Sequence, residues 1–354
     1  MSTTPTRGGT PARKAVPARK LLLAVLATLT LAGCSLDRSL PPAPTTPTTP
    51  TPEVHESTSA PTTLPNAFPD LSCDQLVGAA DWDALFGERL TSSALSSDEA
   101  PLLQTGGMTC RWSDGDRALE ARVAGDGGDH WAAFNSAFAH NEWAMDIGDR
   151  SGTTCEATAQ RCEIHVRNGE VFLELVATGL IGSETTISDH IRALAAAIVD
   201  VVPQPHPVER AEATRAGRCD DIVPVGALAQ ALDADAATVR YLGPSETGYS
   251  LLRDVRQEEG VTECGVSLNG TTTALTYSVA PGGAWVVADR SRFADLTEET
   301  VGWGDGAEAF VSTAPGGDRR ALMAADDDDL LSVRFADPDD ASRAVSVLNE
   351  LTSR

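Results

Sequence analysis

The residues that most often perform catalysis form no recognisable motif in this 354-residue sequence. There is no Gly-x-Ser-x-Gly elbow and no His-Glu-x-x-His helix, and the glycine-rich stretch at 125–129 lacks the lysine of a phosphate loop. The six histidines are scattered, and we expect all of them on the surface or in loops: His55, His130, His140, His165, His190 and His206. The sequence therefore predicts no catalytic residue and no cofactor site.

Two groups of residues have the chemistry of a metal site without its usual spacing. The acidic run Asp326–Asp329 could bind calcium, but calcium loops place their ligands at alternate positions around a glycine. A solvated hairpin turn is the favoured interpretation of that run. Cys155, Cys162 and His165 could bind zinc, but they lack a fourth ligand and the usual spacing. We therefore expect no metal site.

Cys34 follows an apolar run, Leu21–Leu31, which is itself preceded by five basic residues and no acid. This order is typical of a secretory signal, whereas a membrane-spanning helix needs roughly 20 apolar residues. The ending Leu-Ala-Gly-Cys resembles the bacterial lipoprotein lipobox, whose cysteine is acylated and becomes the new N-terminus. We expect residues 1–33 to be a signal peptide and Cys34 to carry a lipid, which anchors the chain to the outer face of the cell membrane.

The mature chain is strongly acidic. Removal of residues 1–33 leaves 22 of the 27 basic residues against all 51 acidic ones. Such a surface repels phosphate backbones and anionic headgroups, so we exclude nucleic acid as a partner and expect the membrane contact to be the lipid alone. Residues 34–66 are rich in proline and threonine and should form an extended tether, of which residues 38–66 could reach on the order of 90 Å.

The six remaining cysteines belong to two copies of one pattern. CDQLV begins at Cys73 and CDDIV at Cys219, and the next cysteine of each copy, Cys110 or Cys264, precedes a tryptophan by 21 residues. The offset between the copies stays between 146 and 156 residues, as expected of a tandem duplication with small loop insertions. An even number of cysteines in an exported protein indicates disulfides. Because equivalent positions should pair alike, the predicted bridges are Cys73 with Cys110, Cys219 with Cys264, and Cys155 with Cys162.

Each copy has the pattern of an α+β unit: a short helix at its first cysteine, strands, a second helix, a hairpin and a closing amphipathic helix. Trp131, Phe134 and Phe138 stand at helical spacing, and for Trp131 and Trp285 we favour core packing over a ligand cleft. Asn168-Gly169 between two apolar runs predicts a hairpin with a type I′ turn.

The sequence thus predicts two tandem repeats, each an antiparallel sheet covered by helices on one face. The predicted domains are residues 67–203 and 217–354. Residues 204–216 form a connector that is rich in proline at its start.

The lipobox, the Thr/Pro tether and the repeated Cys-Asp-x-Leu-Val start resemble a family of lipoproteins from high-GC Gram-positive bacteria. Their tandem domains have no known function, and the resemblance implies a two-layer α/β fold similar to that of PsbP. It covers roughly residues 70–202 and 217–354. Val266 stands where the first copy has Trp112, so the motifs are loose. The family implies no catalytic residues that could be carried over to this chain.

Two hypotheses for the function follow. The first is a non-enzymatic, lipid-anchored binding or accessory module of the cell envelope, with an envelope protein or a small hydrophobic ligand as its partner. The second is an envelope hydrolase whose active site is assembled from distant loops. A catalytic constellation in only one copy would favour the hydrolase, whereas a cleft in each copy, or a groove between them, would favour binding.

Overall fold

The computed structural model describes residues 64–78, 80–137, 146–209, 217–235, 237–241, 249–268, 273–303, 307–313, 320–335 and 341–352. The predicted signal peptide, Cys34, most of the predicted tether and residues 210–216 of the connector lie outside the described residues, as do Phe138, His55 and His140. We refer to residues 64–209 as the N-terminal half and to residues 217–352 as the C-terminal half. Both belong to one compact unit that spans His55–Arg354.

The N-terminal half contains five helices and six strands among its described residues. Its helices are α1 (Cys73–Leu76), α2 (Trp82–Phe86), α3 (Ala100–Gln104), α4 (Gly127–Ala137) and α5 (Glu184–Val201). Its strands are β1 (Thr91–Ser92), β2 (Met108–Asp114), β3 (Arg117–Ala124), β4 (Arg150–Glu156), β5 (Arg161–Asn168) and β6 (Val171–Thr178). They form an antiparallel sheet in the order β1-β2-β3-β6-β5-β4.

The C-terminal half contains a second antiparallel sheet. Its described helices are α6 (Cys219–Ile222), α7 (Val225–Ala231), α8 (Leu251–Glu258), α9 (Trp285–Ala288) and α10 (Ala341–Thr352). Its described strands are β7 (Ala237–Tyr241), β8 (Thr262–Leu268), β9 (Thr273–Ala280), β10 (Leu296–Trp303), β11 (Ala307–Thr313), β12 (Arg320–Asp326) and β13 (Asp329–Phe335). The order is β10-β11-β12-β13-β9-β8-β7, so six neighbouring strands follow the same path as in the first sheet. The predicted α+β class with antiparallel sheets is confirmed.

One face of each sheet forms the main core of its half. Alternate residues of β3 and β6, such as Leu119, Ala121 and Leu175, pack against α5, whose buried residues include Ile191, Leu194 and Ile198. The alternation arises because successive strand residues point to opposite faces of the sheet. In the C-terminal half the same layer consists of β9, β13 and α10. Each half therefore has a hydrophobic core of its own.

The disulfides fix the first helix of each half to its sheet. Cys73 is bonded to Cys110 of β2, and Cys219 is bonded to Cys264 of β8, with Cα atoms 5.5 and 5.8 Å apart. Cys155 and Cys162 are opposite residues of β4 and β5, and they form the third bridge. These are the three pairs that the sequence predicts. None of the described helices is long and apolar enough to cross a membrane.

Two local predictions need correction. The single helix expected at CDQLV and the residues after it is in fact two short helices. The side chain of Asp81 caps the second helix, and Gly87 ends that helix with a positive φ of 79°. The hairpin turn after β5 is Gly169-Glu170, since Asn168 is still paired with Val171. Among these turn residues a positive φ occurs only at Gly169, which is the pattern of a type II′ turn and not of type I′.

The opposite face of each sheet is also contacted by helices. α4 packs on β5 and β6 of the first sheet, while α8 reaches it from the C-terminal half. In the reverse direction, α3 of the N-terminal half packs with Trp285 and Met323 of the C-terminal half. Leu95 and Phe293 join the halves through a parallel backbone bridge. This second layer, built from α3, α4, α8 and α9, creates the candidate site.

Candidate functional site

The face of the N-terminal sheet that points away from α5 carries a row of charged side chains. Arg122 of β3 lies opposite Glu174 of β6, and Glu174 lies opposite His165 of β5. All three are at most 8 % exposed. Buried charges are expensive unless they are paired and hydrogen-bonded, so their partners decide whether this arrangement is stable.

Glu174 is fully satisfied by groups from both halves of the molecule. Its Oε2 accepts a hydrogen bond from Arg122 Nη1 at 2.6 Å, and its Oε1 lies 3.3 Å from His165 Nε2. The backbone N–H of Leu251, the first residue of α8, donates to the same Oε1 at 2.9 Å. Burial alone would raise the pKa of Glu174, but these three donors outweigh it and lower the pKa to about 2. The carboxylate is therefore ionised at neutral pH.

Arg122 holds a cation at the centre of this network. Burial tends to lower its pKa, yet Glu174, Glu120 and Glu99 together raise the pKa above its ordinary value. Glu120 accepts a short hydrogen bond from the guanidinium, and Glu99 Oε1 lies 3.7 Å from Nε. Thr109 in turn donates to Glu99 at 2.6 Å. The network is thus a fixed block of paired charges beneath the surface.

Helix α8 and the residue pair before it form a lid over part of this face. Leu251 and Val255 are fully buried and pack with Phe172 and Leu102 of the N-terminal half. The ring of Tyr249 lies 5.5 Å from His165, edge to face, and its hydroxyl donates to Asp254 at 3.1 Å. Burial and the nearby carboxylates of Asp254 and Glu174 raise the pKa of Tyr249, so its hydroxyl stays protonated. The lid is held by apolar packing and by the bond to Glu174.

A cavity of about 480 Å³ lies between this lid and the charged strands. Its wall combines small and apolar groups with six charged side chains: Glu120, Arg122, Arg161, Glu163, Glu174 and Arg253. Arg161 is paired with Glu163. The side chain of Arg253, in the first turn of α8, is half-buried and is paired with none of the described carboxylates. We call this cavity the sheet pocket.

A second polar cluster lies where α4 meets α8. His130 Nδ1 is 2.8 Å from Asp254 Oδ2 and 3.7 Å from Glu258 Oε1. The two carboxylates are one helical turn apart on α8, while the histidine belongs to the other half of the molecule. We call this group the α4–α8 cluster.

The expectation that all histidines lie on the surface or in loops is wrong for His130 and His165. Both are only 1 % exposed, and both are placed in regular elements that the sequence pattern does not distinguish. Each is compensated by a carboxylate far along the chain, Asp254 or Glu174, so no local spacing could have revealed it. His190 is half-buried and His206 is exposed.

The other predicted sites have plain structural roles. Cys155 and Cys162 are joined by a disulfide and are therefore not zinc ligands with His165. Asp326 and Asp329 are the closing pair of the β12–β13 hairpin, as the sequence predicts for the acidic run. Trp285 is buried between the halves, whereas Trp131 is half-buried and packs against Phe134 at a ring distance of 5.1 Å.

Comparison with known proteins identifies no relative. No family model matches the chain, and no curated protein matches it either. One solved structure, that of DynU16 from the dynemicin biosynthetic locus, aligns over 75% of this chain and 93% of its own. The identity is 11% and the TM-score 0.08, a value at which the alignment says nothing about fold or function.

Proposed function

We propose that this chain is a lipid-anchored, extracytoplasmic binding module and that the sheet pocket is its ligand site. Three disulfides are typical of a protein that folds in an oxidising, extracytoplasmic compartment. The lipobox at Cys34 supports the anchor, and the repeated cysteine pattern supports an origin by tandem duplication. The Pro/Thr-rich tether would hold the folded unit away from the membrane.

The observation that carries the proposal is a cavity of binding-site size built over a fixed charge network. Small-molecule sites in proteins usually measure about 300–1,000 Å³ and orient their ligand with a few convergent polar groups. The sheet pocket has such a volume, and Glu174 and Arg122 beneath it have perturbed pKa values. Strongly perturbed groups in a cleft favour a functional site.

The lining favours a small polar ligand. Arg253, which no described carboxylate pairs, would bind an acidic group of the ligand, while Glu120 and Glu163 would accept hydrogen bonds from its O–H or N–H groups. A hydrophobic ligand or an envelope protein, the partners suggested by the sequence, would fit better in a separate groove of about 640 Å³. That groove is lined by Phe68, Leu103 and Trp285, among others.

The hydrolase hypothesis receives less support. Two histidine–carboxylate pairs do occur: His165–Glu174 within the N-terminal half, and His130–Asp254 between the halves. Both imidazoles are 1 % exposed and are covered by aromatic rings such as Phe172, so they do not present a base to a bound substrate. Hence we favour binding over hydrolysis.

The experiment is a calorimetric titration of the mature chain with three probes that combine an acidic group with hydrogen-bond donors: L-glutamate, D-alanyl-D-alanine and D-glucuronate. We expect at least one probe to bind, and Arg253→Gln to weaken it by about tenfold or more, since a charged hydrogen bond contributes about 1.5–3 kcal/mol. Arg192→Gln is the matched control, because Arg192 is exposed on α5, which packs on the opposite face of the sheet. Equal affinities of the Arg253→Gln and Arg192→Gln proteins would reject the pocket, as would the failure of all three probes.

A further inference from the structure

The α4–α8 cluster brings together three side chains of the types that bind transition-metal ions. His130 contributes Nδ1, and Asp254 and Glu258 each contribute a carboxylate oxygen, with all three atoms within 4.8 Å of one another. Asp254 and Glu258 are separated by four residues on α8, which places them on one face of that helix. His130 comes from α4, 124 residues earlier in the chain.

We propose that this cluster binds one zinc ion that connects α4 to α8. A site with one imidazole nitrogen and two carboxylate oxygens suits zinc, which takes nitrogen and oxygen ligands at about 2.0–2.2 Å in a tetrahedral arrangement. Calcium takes six to eight oxygen ligands and magnesium prefers an octahedron of oxygens, so the imidazole disfavours both. Two carboxylates also balance the charge of a divalent cation.

The surroundings of the cluster match a metal site with one open position. The His130 side chain is 2 % exposed, whereas those of Asp254 and Glu258 are 17 % and 35 % exposed. The imidazole is thus buried against Phe172, whereas the two carboxylates are partly exposed to the solvent that would supply the ion and a water molecule as fourth ligand. Tyr249 donates its hydroxyl to Asp254 Oδ2, the kind of outer hydrogen bond that orients a ligating carboxylate.

Zinc at this position would stabilise the lid of the sheet pocket. Asp254 and Glu258 lie on the same helix as Arg253, and that helix also provides the N–H that binds Glu174. A bridge from α8 to α4 would therefore hold the lid on the N-terminal sheet. This inference does not depend on a ligand in the pocket, because the zinc ligands are side chains of the protein alone.

The test uses the full mature chain, freed of metal with a chelator and then titrated with zinc chloride in competition with a chromogenic chelator. We expect one tightly bound equivalent per chain. Cobalt, used in place of zinc, should give the visible absorption of a tetrahedral site. Glu258→Gln keeps the His130–Asp254 hydrogen bond, and we expect it to lower the zinc affinity at least about 100-fold, because even outer-sphere changes cost about 10–100-fold.

Asp189→Asn is the matched control for weak surface binding on this acidic chain, since Asp189 is an exposed carboxylate on α5. It should leave the affinity unchanged. A His130→Gln protein, which removes the nitrogen ligand, should lose the tetrahedral cobalt spectrum even if its fold is slightly less stable. If zinc binds Glu258→Gln as tightly as the unaltered chain, or if cobalt gives only an octahedral spectrum, the cluster is an ion pair between helices and the proposal is overturned.

Discussion

The sheet face that points away from the closing helix differs between the two halves: at equivalent positions it carries charged or titratable residues in one and small or apolar residues in the other. In the N-terminal sheet the neighbouring residues Arg122, Glu174 and His165 are charged or titratable and lie under a cavity of about 480 Å³. Their positional equivalents in the C-terminal sheet are Ser278, Ser332 and Met323, which follow the same strand pairing in β9, β13 and β12. Beside these residues the cavity is only about 20 Å³. One face is a pocket, and the other is a filled interface.

The filling comes from the N-terminal half. Asp98 and α3 lie on the C-terminal sheet, where Asp98 is paired with Arg334 and with Arg256. Burial tends to raise the pKa of Asp98, but the two guanidinium groups lower it below its ordinary value. Ser97 adds hydrogen bonds from its hydroxyl and its N–H to Asp295, at 2.6 and 2.8 Å. The small residues of the C-terminal sheet leave room for this packing.

Two sheets of similar topology thus have different roles in this chain. Small polar and apolar side chains allow close packing, so the C-terminal sheet holds the two halves together. The C-terminal face pairs its charged Arg334 with Asp98 of the other half, whereas the N-terminal sheet pairs Arg122 and His165 with its own Glu174 and leaves a cavity above them. Buried charges cost free energy of folding, so we expect the functional site on the N-terminal sheet, which carries them.

The largest expected effect is on Glu174. Glu174→Ser leaves Arg122 without its buried, hydrogen-bonded partner, and breaking a buried ion pair costs about 3–5 kcal/mol. Ser332→Ala, at the equivalent position, should cost no more than about 1 kcal/mol. Urea unfolding followed by tryptophan fluorescence measures both.

A double-variant cycle sharpens this result. The double variant Arg122→Ser/Glu174→Ser should lose about 1–3 kcal/mol less unfolding free energy than the sum of the two single variants. In the double variant both charges are absent, so neither is left buried without the other. Ser278→Ala and Ser332→Ala should add within about 0.5 kcal/mol. Additive effects in the N-terminal sheet would show that the buried charges are not coupled.

The disulfides give the next effect in size. Each of the bridges Cys73–Cys110 and Cys219–Cys264 closes a loop of 37 or 45 residues, and its removal should cost about 4 kcal/mol by the chain-entropy relation. Cys155–Cys162 spans seven residues and should cost about 2.5 kcal/mol. Paired Cys→Ala variants, compared by denaturant unfolding, check the order. A short bridge that cost more than the long ones would contradict this account of their roles.

The pH dependence of stability tests Glu174 without removing its side-chain volume. Its pKa is about 2 in the folded chain against an ordinary value of 4.5, so its contribution is complete above pH 4.5 and is lost as the pH falls through about 2. The shift corresponds to stabilisation on the order of 3 kcal/mol. The unfolding free energy of Glu174→Gln should therefore fall less steeply with acid than that of the unaltered chain. Parallel curves would show that Glu174 is not held ionised by its partners.

The repeated elements could be predicted from the sequence because their signals are local or periodic. The cysteine pattern gave the three disulfide pairs, and the 3.6-residue period of Ile187, Ile191, Leu194 and Ile198 predicted α5. Period-2 alternation at Leu331, Val333 and Phe335 likewise predicted β13. These residues face the cores, where hydrophobic burial alone determines the arrangement.

The site could not be predicted, because its partners come from distant parts of the chain. Glu174 and Leu251 are 77 residues apart, and His130 and Asp254 are 124 apart. α3 and α8 were not predicted either, since each is short and each packs on an element of the other half. Each half has its own terminal helices, hairpin and long-loop disulfide, and this predicts that residues 67–203 and 217–354 can fold separately; that stays a prediction. Given these contacts, we expect each fragment to be less stable than it is in the full chain.

The central claim is that the sheet pocket, and not the equivalent face of the C-terminal sheet, binds a polar ligand. The most direct measurement is a map of backbone amide shifts in the mature chain upon addition of L-glutamate, D-alanyl-D-alanine or D-glucuronate. We expect the amide signals of Val176, Thr178 and Arg253 to shift and those of Ser332 and Arg334 to stay unchanged. Shifts confined to the C-terminal sheet, or none in the wall of the sheet pocket with any of the three compounds, would contradict it.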